Sequence, residues 1–213
     1  MLITIPLFDR FTALDAVGPY EVLSRLPGAH VVFVADQAGP VQTDTRALTL
    51  VAERPLAEVD ACDVVVVPGG PGTRQMLEPQ PLHDWLRAID PTTQWTTSVC
   101  TGALLLGAAG LLDGLEATTH WSAFDTLAGL GARPTQRRIV AQGKVVTAAG
   151  VSAGIDMALW LAAQIAGDEV ARAIQLGIEY DPQPPFDSGS TAKAAPETLE
   201  LLRHGLASRP TTA

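Results

Sequence analysis

Short runs of apolar and β-branched residues alternate along this chain with segments whose apolar positions follow helical spacing. The pattern predicts strands, in chain order, over 2–8, 29–35, 63–67, 94–99, 116–119, 138–140 and 144–148. The run 63–67 reads Asp-Val-Val-Val-Val, which is typical of a central parallel strand buried on both faces. This alternation of strands and helices predicts an α/β sandwich built on a mostly parallel, doubly wound sheet.

Helices are predicted between and after these strands, over 14–26, 81–89, 101–109, 121–130, 152–166, 168–179 and 196–204. Pro19 lies within the first of them. Because an interior proline removes a backbone hydrogen bond, we expect Pro19 in the first turn or in a bend before the helix. Ser152 and Asp168 are the expected N-caps of their helices. The segment 41–51 is expected to form a hairpin or two short edge strands.

The composition indicates a globular protein with a full hydrophobic core. Of its 213 residues, 47% are hydrophobic and 17% are charged, a balance that excludes intrinsic disorder. No interdomain linker is evident in the sequence. We therefore expect one domain over residues 1–190, followed by a C-terminal helix and tail over residues 191–213.

Charge and cysteine content narrow the classes of partner and compartment. The net charge is −9 and no basic stripe is present, which argues against a nucleic-acid partner. No run of eighteen apolar residues occurs, and the N-terminus lacks the features of a signal peptide, so neither a membrane span nor secretion is expected. Two cysteines, Cys62 and Cys100, form no disulfide framework, and the natural location of such a chain is the reducing cytoplasm.

Cys100 is the residue that points most directly to chemistry. The strand predicted over 94–99 ends at this cysteine, and a helix is predicted immediately after it. A sharp strand-to-helix turn of this kind is a nucleophile elbow, which presents one side chain at the carboxyl edge of a sheet. The N-terminus of the following helix favours the thiolate over the thiol. The structural alternative is a buried apolar cysteine.

Two further segments are expected to meet Cys100 at the same edge of the sheet. Gly69 and Gly70 follow the central strand, and their unhindered N–H groups suit an anion or a developing negative charge, although a plain turn would explain them equally well. Asp15 follows the first strand as a candidate acid/base group, with a helix N-cap as the alternative. Glu21 is either a second carboxylate of the site or a solvated helix residue.

His120 and Cys62 are the remaining residues that could carry chemistry. His120 precedes a predicted helix, and its role as a cap, an interface residue or a base is left open by the sequence. Cys62 directly precedes the central strand, where we expect it to be buried and inert. No set of His, Cys, Asp and Glu residues has metal-ligand spacing, so we predict no metal.

Four segments, taken together and in this order, resemble the ThiJ/PfpI superfamily. They are Asp-Ala-Val-Gly-Pro-Tyr-Glu-Val-Leu from residue 15, Pro-Gly-Gly-Pro-Gly from 68, Ser-Val-Cys-Thr-Gly-Ala from 98, and Val-Thr-Ala-Ala-Gly-Val-Ser-Ala-Gly-Ile-Asp from 146. Asp15, where many members carry Glu, and the segment 179–190 make the chain most similar to the isonitrile hydratases of that superfamily. The resemblance implies a three-layer, flavodoxin-like fold of the class I glutamine amidotransferase kind.

The resemblance also implies an activity, namely the addition of water to an isonitrile to give an N-substituted formamide, without cofactor or metal. Cys100 would be the nucleophile that forms a thioimidate, and Asp15 would transfer protons. Thr101, with the N–H groups of the Gly69–Gly70 loop, would hold the polar end of the intermediate. It further implies a homodimer, in which helices and the loop 180–190 of the partner could line a narrow, mostly apolar pocket.

Other functions remain open at this stage. Protease-like members carry a His directly after the cysteine, and Thr101 stands there instead, so proteolysis is not expected. The first alternative is a glyoxalase-like or deglycating hydrolase of reactive carbonyls. The second is a cysteine that senses oxidants without turnover.

Overall fold

A seven-stranded sheet forms the centre of the protein, seen in a computed structural model that describes residues 1–205. Its strands, with those of two small sheets, are β1 Leu2–Pro6, β2 His30–Ala35, β3 Gly39–Gln42, β4 Thr49–Ala52, β5 Arg54–Pro55, β6 Val64–Val67, β7 Trp95–Val99, β8 Glu116–Ala117, β9 Arg133–Pro134, β10 Ile139–Gln142 and β11 Val145–Ala148. The central sheet has the order β10-β11-β7-β6-β1-β2-β5, and only β10 runs antiparallel to its neighbour. The α/β class predicted from the sequence is therefore confirmed.

Helices of residues 1–179 flank this sheet and complete the three-layer sandwich. They are α1 Ala13–Leu23, α2 Pro81–Ile89, α3 Gly102–Ala108, α4 Phe124–Gly129, α5 Ala153–Ala166 and α6 Asp168–Gly177. A further helix, α7 Pro196–Gly205, follows later in the chain. Helix α5 packs against α1 and α6, while α3 packs against α2 and α4. All four valines of β6 are fully buried, as the uninterrupted apolar run predicted for the centre of the sheet.

The hairpin expected over 41–51 is formed by β3 and β4. These strands pair antiparallel and form a small two-stranded sheet that is separate from the central one. Phe11 forms a parallel bridge with Thr43, which joins the tip of this hairpin to the segment between β1 and α1. The hairpin tip therefore lies beside the carboxyl end of β1.

Pro19 lies in the interior of α1, and its expected place in the first turn or in a preceding bend was wrong. The helix continues through the proline because α1 and α5 pack closely at this point. A Cβ on Gly154 would lie 3.3 Å from the Pro19 ring, and one on Gly18 would lie 3.1 Å from Ile155. Tertiary packing over the buried face of α1 offsets the hydrogen bond that the proline cannot donate.

One of the two predicted helix caps was wrong. Gly167, with φ +86°, is the N-cap of α6, so Asp168 is the first residue of the helix, and a positive φ favours glycine over aspartate at the N-cap position. Ser152 is the N-cap residue of α5, as predicted, but it makes no side-chain capping bond. Its hydroxyl accepts a hydrogen bond from Arg138 at 3.4 Å instead.

The chain divides into two compact units, of which the first spans Met1–Glu179 and the second begins at Tyr180. The second unit contains the Pro-rich segment, the Lys193–Asp187 ion pair and α7. The tail predicted beyond α7 lies outside the described residues. None of the helices formed by residues 1–205 is long and apolar enough to cross a lipid bilayer.

Candidate active site

Cys100 occupies the turn between β7 and α3, and its backbone is in the left-handed region with φ +57°. A non-glycine residue adopts this conformation only where neighbouring structure enforces it. Its N–H donates to the carbonyl of Ala148 at 3.0 Å, and its carbonyl accepts from the Thr119 hydroxyl at 2.9 Å. The geometry is that of the nucleophile elbow expected from the sequence.

Three strand ends converge at this elbow, because β7, β6 and β1 are adjacent in the sheet. The loop after β6 forms hydrogen bonds with the segment before α1 on one side and with the elbow on the other. Thr12 N–H donates to the Gly69 carbonyl at 2.8 Å, and Gly70 N–H donates to the Thr101 hydroxyl at 2.9 Å. Gly70 has φ +139°, and a Cβ there would lie 2.5 Å from the Arg10 carbonyl, so the close approach of these loops requires glycine.

Asp15 lies in the first turn of α1 and is fully buried beneath the elbow. Asp15 is not the N-cap of α1, which was the alternative role that the sequence allowed, because Thr12 is the N-cap residue. The Asp15 Oδ2 instead accepts a hydrogen bond from the Gly69 N–H at 2.9 Å. Oδ1 has no partner of good hydrogen-bonding geometry among residues 1–205, and the Cys100 thiol interacts with the carboxyl at looser geometry. One carboxylate oxygen is therefore held, and the other is available for proton exchange.

Burial raises the pKa of Asp15 from 3.8 to about 7, and the negative charge of Asp44 contributes in the same direction. Hydrogen bonds from Gly69 N–H and from the Cys100 thiol lower the pKa but do not offset the loss of solvation. At neutral pH the carboxyl is thus divided between its protonated and ionised forms, which is the condition that suits a general acid or base.

Burial also raises the pKa of the Cys100 thiol, and the nearby Asp15 charge raises it further. The thiolate expected from the helix N-terminus is not the form that the substrate-free site favours. Helix α3 has only seven residues, and the hydrogen bonds with Thr101, which lower the pKa of the thiol, are outweighed by desolvation and by the Asp15 carboxylate. Cys100 is therefore a protonated thiol next to Asp15 in the substrate-free site.

Alkylation of Cys100 by iodoacetamide is expected to accelerate steadily as the pH rises to 9, without a plateau near neutrality, because the thiolate is the reactive form. The measurement is the rate of labelling of the Cys100 peptide by mass spectrometry. The Cys62 peptide in the same digest provides an internal comparison, since burial raises the pKa of that thiol to about 11. A plateau below pH 7 would show that Cys100 is ionised and would contradict this assignment.

The Gly69 and Gly70 N–H groups both have acceptors within the protein, namely the Asp15 carboxyl and the Thr101 hydroxyl. The Thr101 hydroxyl in turn reaches the Gly70 carbonyl at 3.2 Å. In this conformation the two glycines position the Asp15 carboxyl and the Thr101 hydroxyl. A direct contact with a developing negative charge requires these hydrogen bonds to be exchanged.

A cavity of about 190 Å³ opens above the cysteine. It is lined by Thr12, Asp44, Gly70, Pro71, Arg74, Cys100, Thr101, His120, Ser122 and Val151. Asp44, Arg74 and Ser122 were not among the residues expected from the sequence. Arg74 could have been predicted, because it follows the glycine loop by a single turn. Asp44 could not, because it reaches the cavity from the tip of the β3–β4 hairpin and nothing in the local sequence pattern indicates this.

His120 lines the cavity and also caps the short helix 121–123, because its Nδ1 accepts from the Ser122 N–H at 3.3 Å. Nδ1 also lies 2.8 Å from the Ser122 hydroxyl. Burial, followed by the positive charge of Arg74, lowers the pKa of His120. The imidazole is therefore neutral at physiological pH, and no carboxylate of residues 1–205 is hydrogen-bonded to it.

The other candidates lie away from this cavity. Glu21 forms a surface ion pair with Arg25 at 2.5 Å, which matches the solvated-helix alternative. Cys62 is buried outside the cavity. Within the part of the chain that the structure describes, no three His, Cys, Asp or Glu side chains are grouped so that they could hold a metal ion.

A larger cavity of about 350 Å³ lies beyond the ends of β1 and β2. Its lining is mostly apolar, with contributions from Leu7, Val41, Leu56, Met76 and Leu82. It contains neither Cys100 nor any group that interacts with Asp15. The smaller cavity is therefore the one that contains Cys100 and Thr101.

Residues 1–164 match the DJ-1/PfpI family, and the chain belongs to that family. Over 197 residues it is 42% identical to the isonitrile hydratase of Pseudomonas putida, a match that covers 92% of this chain and 86% of that enzyme. The resemblance that the sequence motifs indicated is therefore confirmed.

Two further comparisons support this placement. A ThiJ/PfpI family protein from Pseudomonas syringae has a crystal structure that superposes with a TM-score of 0.91 at 36% identity, over 94% of this chain and 84% of that one. The chain is also 30% identical to the HTH-type transcriptional regulator CdhR of Pseudomonas aeruginosa, over 78% of its own length and 50% of the regulator. It thus spans half of that larger protein.

Proposed function

We propose that this protein is an isonitrile hydratase, which adds water to an isonitrile and releases an N-substituted formamide. The observation that carries the proposal is the pairing of the Cys100 thiol with the buried Asp15 carboxyl at an elbow that opens into a small cavity. The relationship to the Pseudomonas putida enzyme supports the same reaction.

In the first step the sulfur and the proton of the Cys100 thiol both add to the terminal carbon of the isonitrile. The Cys100 sulfur forms a bond to that carbon, and Asp15 takes the thiol proton and delivers a proton to the same carbon, which gives a thioimidate, R–N=CH–S. An isonitrile carbon must gain a proton as it gains the sulfur. A site that retains a proton beside the sulfur suits this reaction better than a free thiolate does.

In the second step one water molecule attacks the thioimidate carbon. Asp15 accepts one proton from the water and delivers it to the nitrogen. The carbon–sulfur bond breaks as the carbonyl forms, the second proton of the water passes to the sulfur, and R–NH–CHO leaves. One water is consumed, and the thiol and carboxyl return to their starting forms.

Purified protein is expected to convert cyclohexyl isonitrile to N-cyclohexylformamide, and Cys100→Ala is expected to lower kcat/KM by at least about 10³ because no thioimidate can form. Formamide is measured by gas chromatography or by NMR. Cys62→Ala is the matched control, since it removes the other buried thiol outside the cavity and should retain activity. If the unmodified protein leaves the isonitrile unchanged over hours, the proposal fails.

A hydrolase of reactive carbonyls is the second candidate, because a carboxylate, Asp44, and an imidazole, His120, both line the cavity and could transfer protons when water adds to an aldehyde. Consumption of methylglyoxal with formation of lactate would favour it over the hydratase. Oxidant sensing is less well supported, since a thiol with a raised pKa reacts slowly with peroxide. The homodimer and the cytoplasmic location expected from the sequence stay predictions.

A further inference from the structure

Most of the surface of the cavity is apolar, as expected from the sequence, but several polar and charged side chains also line it. Hydroxyl groups of Thr12, Thr101 and Ser122 share it with one carboxylate and one guanidinium. The hydroxyl groups and the carboxylate already have hydrogen-bond partners within the protein, so the guanidinium of Arg74 is the polar group left for a substrate to contact. The lining therefore favours a mainly apolar substrate that carries one polar substituent near Arg74.

Arg74 is the charged group in this cavity that is open to a ligand. It lies in the short helix Pro71–Met76 directly after the glycine loop, and its side chain is exposed at the mouth. It makes no hydrogen bond or ion pair with any residue that the structure describes. Arg46 and Arg138, in contrast, form ion pairs with Asp9 and Asp156.

Asp44, the carboxylate of the same cavity, does not neutralise Arg74. Its Oδ2 accepts from the Thr12 hydroxyl at 2.9 Å, and its Oδ1 accepts from the Thr45 N–H at 2.8 Å. It forms no ion pair with Arg74. Asp44 repels an anion on its own side of the cavity, so an anionic substituent is directed towards the guanidinium.

We propose that Arg74 binds a carboxylate carried by the isonitrile, so that the preferred substrates are small isonitrile acids. This inference rests on the proposed hydratase activity. Guanidinium binds carboxylate through two parallel hydrogen bonds, which gives orientation as well as affinity. A volume of about 190 Å³ is below the roughly 300–1,000 Å³ of pockets for drug-sized ligands, so the carboxylate and the isonitrile are separated by few atoms.

The test compares isocyanoacetate with isocyanoacetamide, which has nearly the same shape and no charge. We expect unmodified protein to hydrate the acid with a kcat/KM about tenfold to hundredfold above that of the amide, mainly through a lower KM. In Arg74→Gln this preference is lost or reversed. Arg54→Gln changes the net charge equally at an exposed residue outside the cavity and should retain the preference.

Each outcome separates the two hypotheses. If the acid and the amide are hydrated equally well, or if Arg74→Gln retains the preference, the role of Arg74 is excluded and the hydratase proposal stands. If cyclohexyl isonitrile is hydrated but neither isocyanoacetate nor isocyanoacetamide is, the role of Arg74 is likewise excluded and the hydratase proposal stands. If no isonitrile is consumed, the proposed function fails, and the inference about Arg74 fails with it.

Discussion

Replacing Asp15 with asparagine is expected to lower kcat/KM for isonitrile hydration by about 10²–10⁴, because the amide cannot accept or donate the proton that the addition requires. The hydrogen bond from Gly69 N–H is retained by the asparagine oxygen, so the elbow keeps its geometry. The measurement is the steady-state rate of formamide formation across pH 5 to 9. In the unmodified protein, the rate should depend on a group that titrates at about pH 7.

The same substitution is expected to stabilise the protein above pH 7, because it removes a charge that is buried at a cost. The folded-state pKa of Asp15 is raised from 3.8 to about 7, so the folded state holds the proton more tightly than the unfolded state. Stability is therefore lost as the pH rises from about 4 to about 7, by at most about 4 kcal/mol. We expect a measured gain of about 1–3 kcal/mol in Asp15→Asn, since the buried amide N–H₂ lacks a full set of acceptors.

Urea unfolding at pH 5 and pH 8 checks this effect, and the gain should be larger at pH 8. Asp60→Asn is the matched control, because Asp60 is exposed in the loop before β6 and its replacement should change stability by less than about 0.5 kcal/mol at either pH. A loss of stability in Asp15→Asn that is independent of pH would contradict the burial of a titrating carboxyl. Unchanged activity would exclude Asp15 as the proton-transfer group.

Gly102→Ala is expected to produce the largest loss of stability at the site, about 3–5 kcal/mol or a failure to fold. Gly102 is the first residue of α3, and a Cβ there would overlap the Val67 carbonyl oxygen and lie 2.9 Å from the Pro68 carbonyl carbon. These are backbone atoms of the central strand and its loop, so they cannot move aside as a flexible side chain can. Thermal unfolding by circular dichroism measures the effect.

Gly129→Ala is the matched control for this substitution. Gly129 is the last residue of α4, and a Cβ there meets no atom within 4 Å. Alanine should therefore be neutral or stabilising by up to about 1 kcal/mol. A Tm for Gly102→Ala within a degree of the unmodified protein would show that α3 is not held as closely against β6 as the structure indicates.

The strands and the elbow could be predicted because their causes are local. The four valines of β6 can be buried only between two neighbouring strands and two layers, and they are. The change from a β-branched run to a helix-forming run marks the elbow at Cys100 without reference to any other segment. The interior position of Pro19 was not predicted, because the backbone hydrogen bond that the proline cannot donate is offset by packing against α5, which lies far away in the sequence.

The site was predicted less completely, because its remaining properties depend on several segments at once. The pairing of Asp15 with Cys100 required only the sheet order, and the doubly wound topology allowed it to be anticipated. Asp44 could not be predicted, since it enters the cavity through the hairpin and its bridge to Phe11. The protonation of Cys100 was predicted in the wrong direction, because a helix N-terminus can be recognised in the sequence and the depth of burial cannot.

Local pattern alone was therefore sufficient to establish the α/β architecture, the family and the position of Cys100 at the elbow, since each is encoded within a few neighbouring residues or in their order. Tertiary structure decided the ionisation of Asp15 and Cys100 and the set of charged side chains that line the cavity. The physical reason is that solvation and charge interactions act through space, between groups that folding brings together from distant parts of the chain.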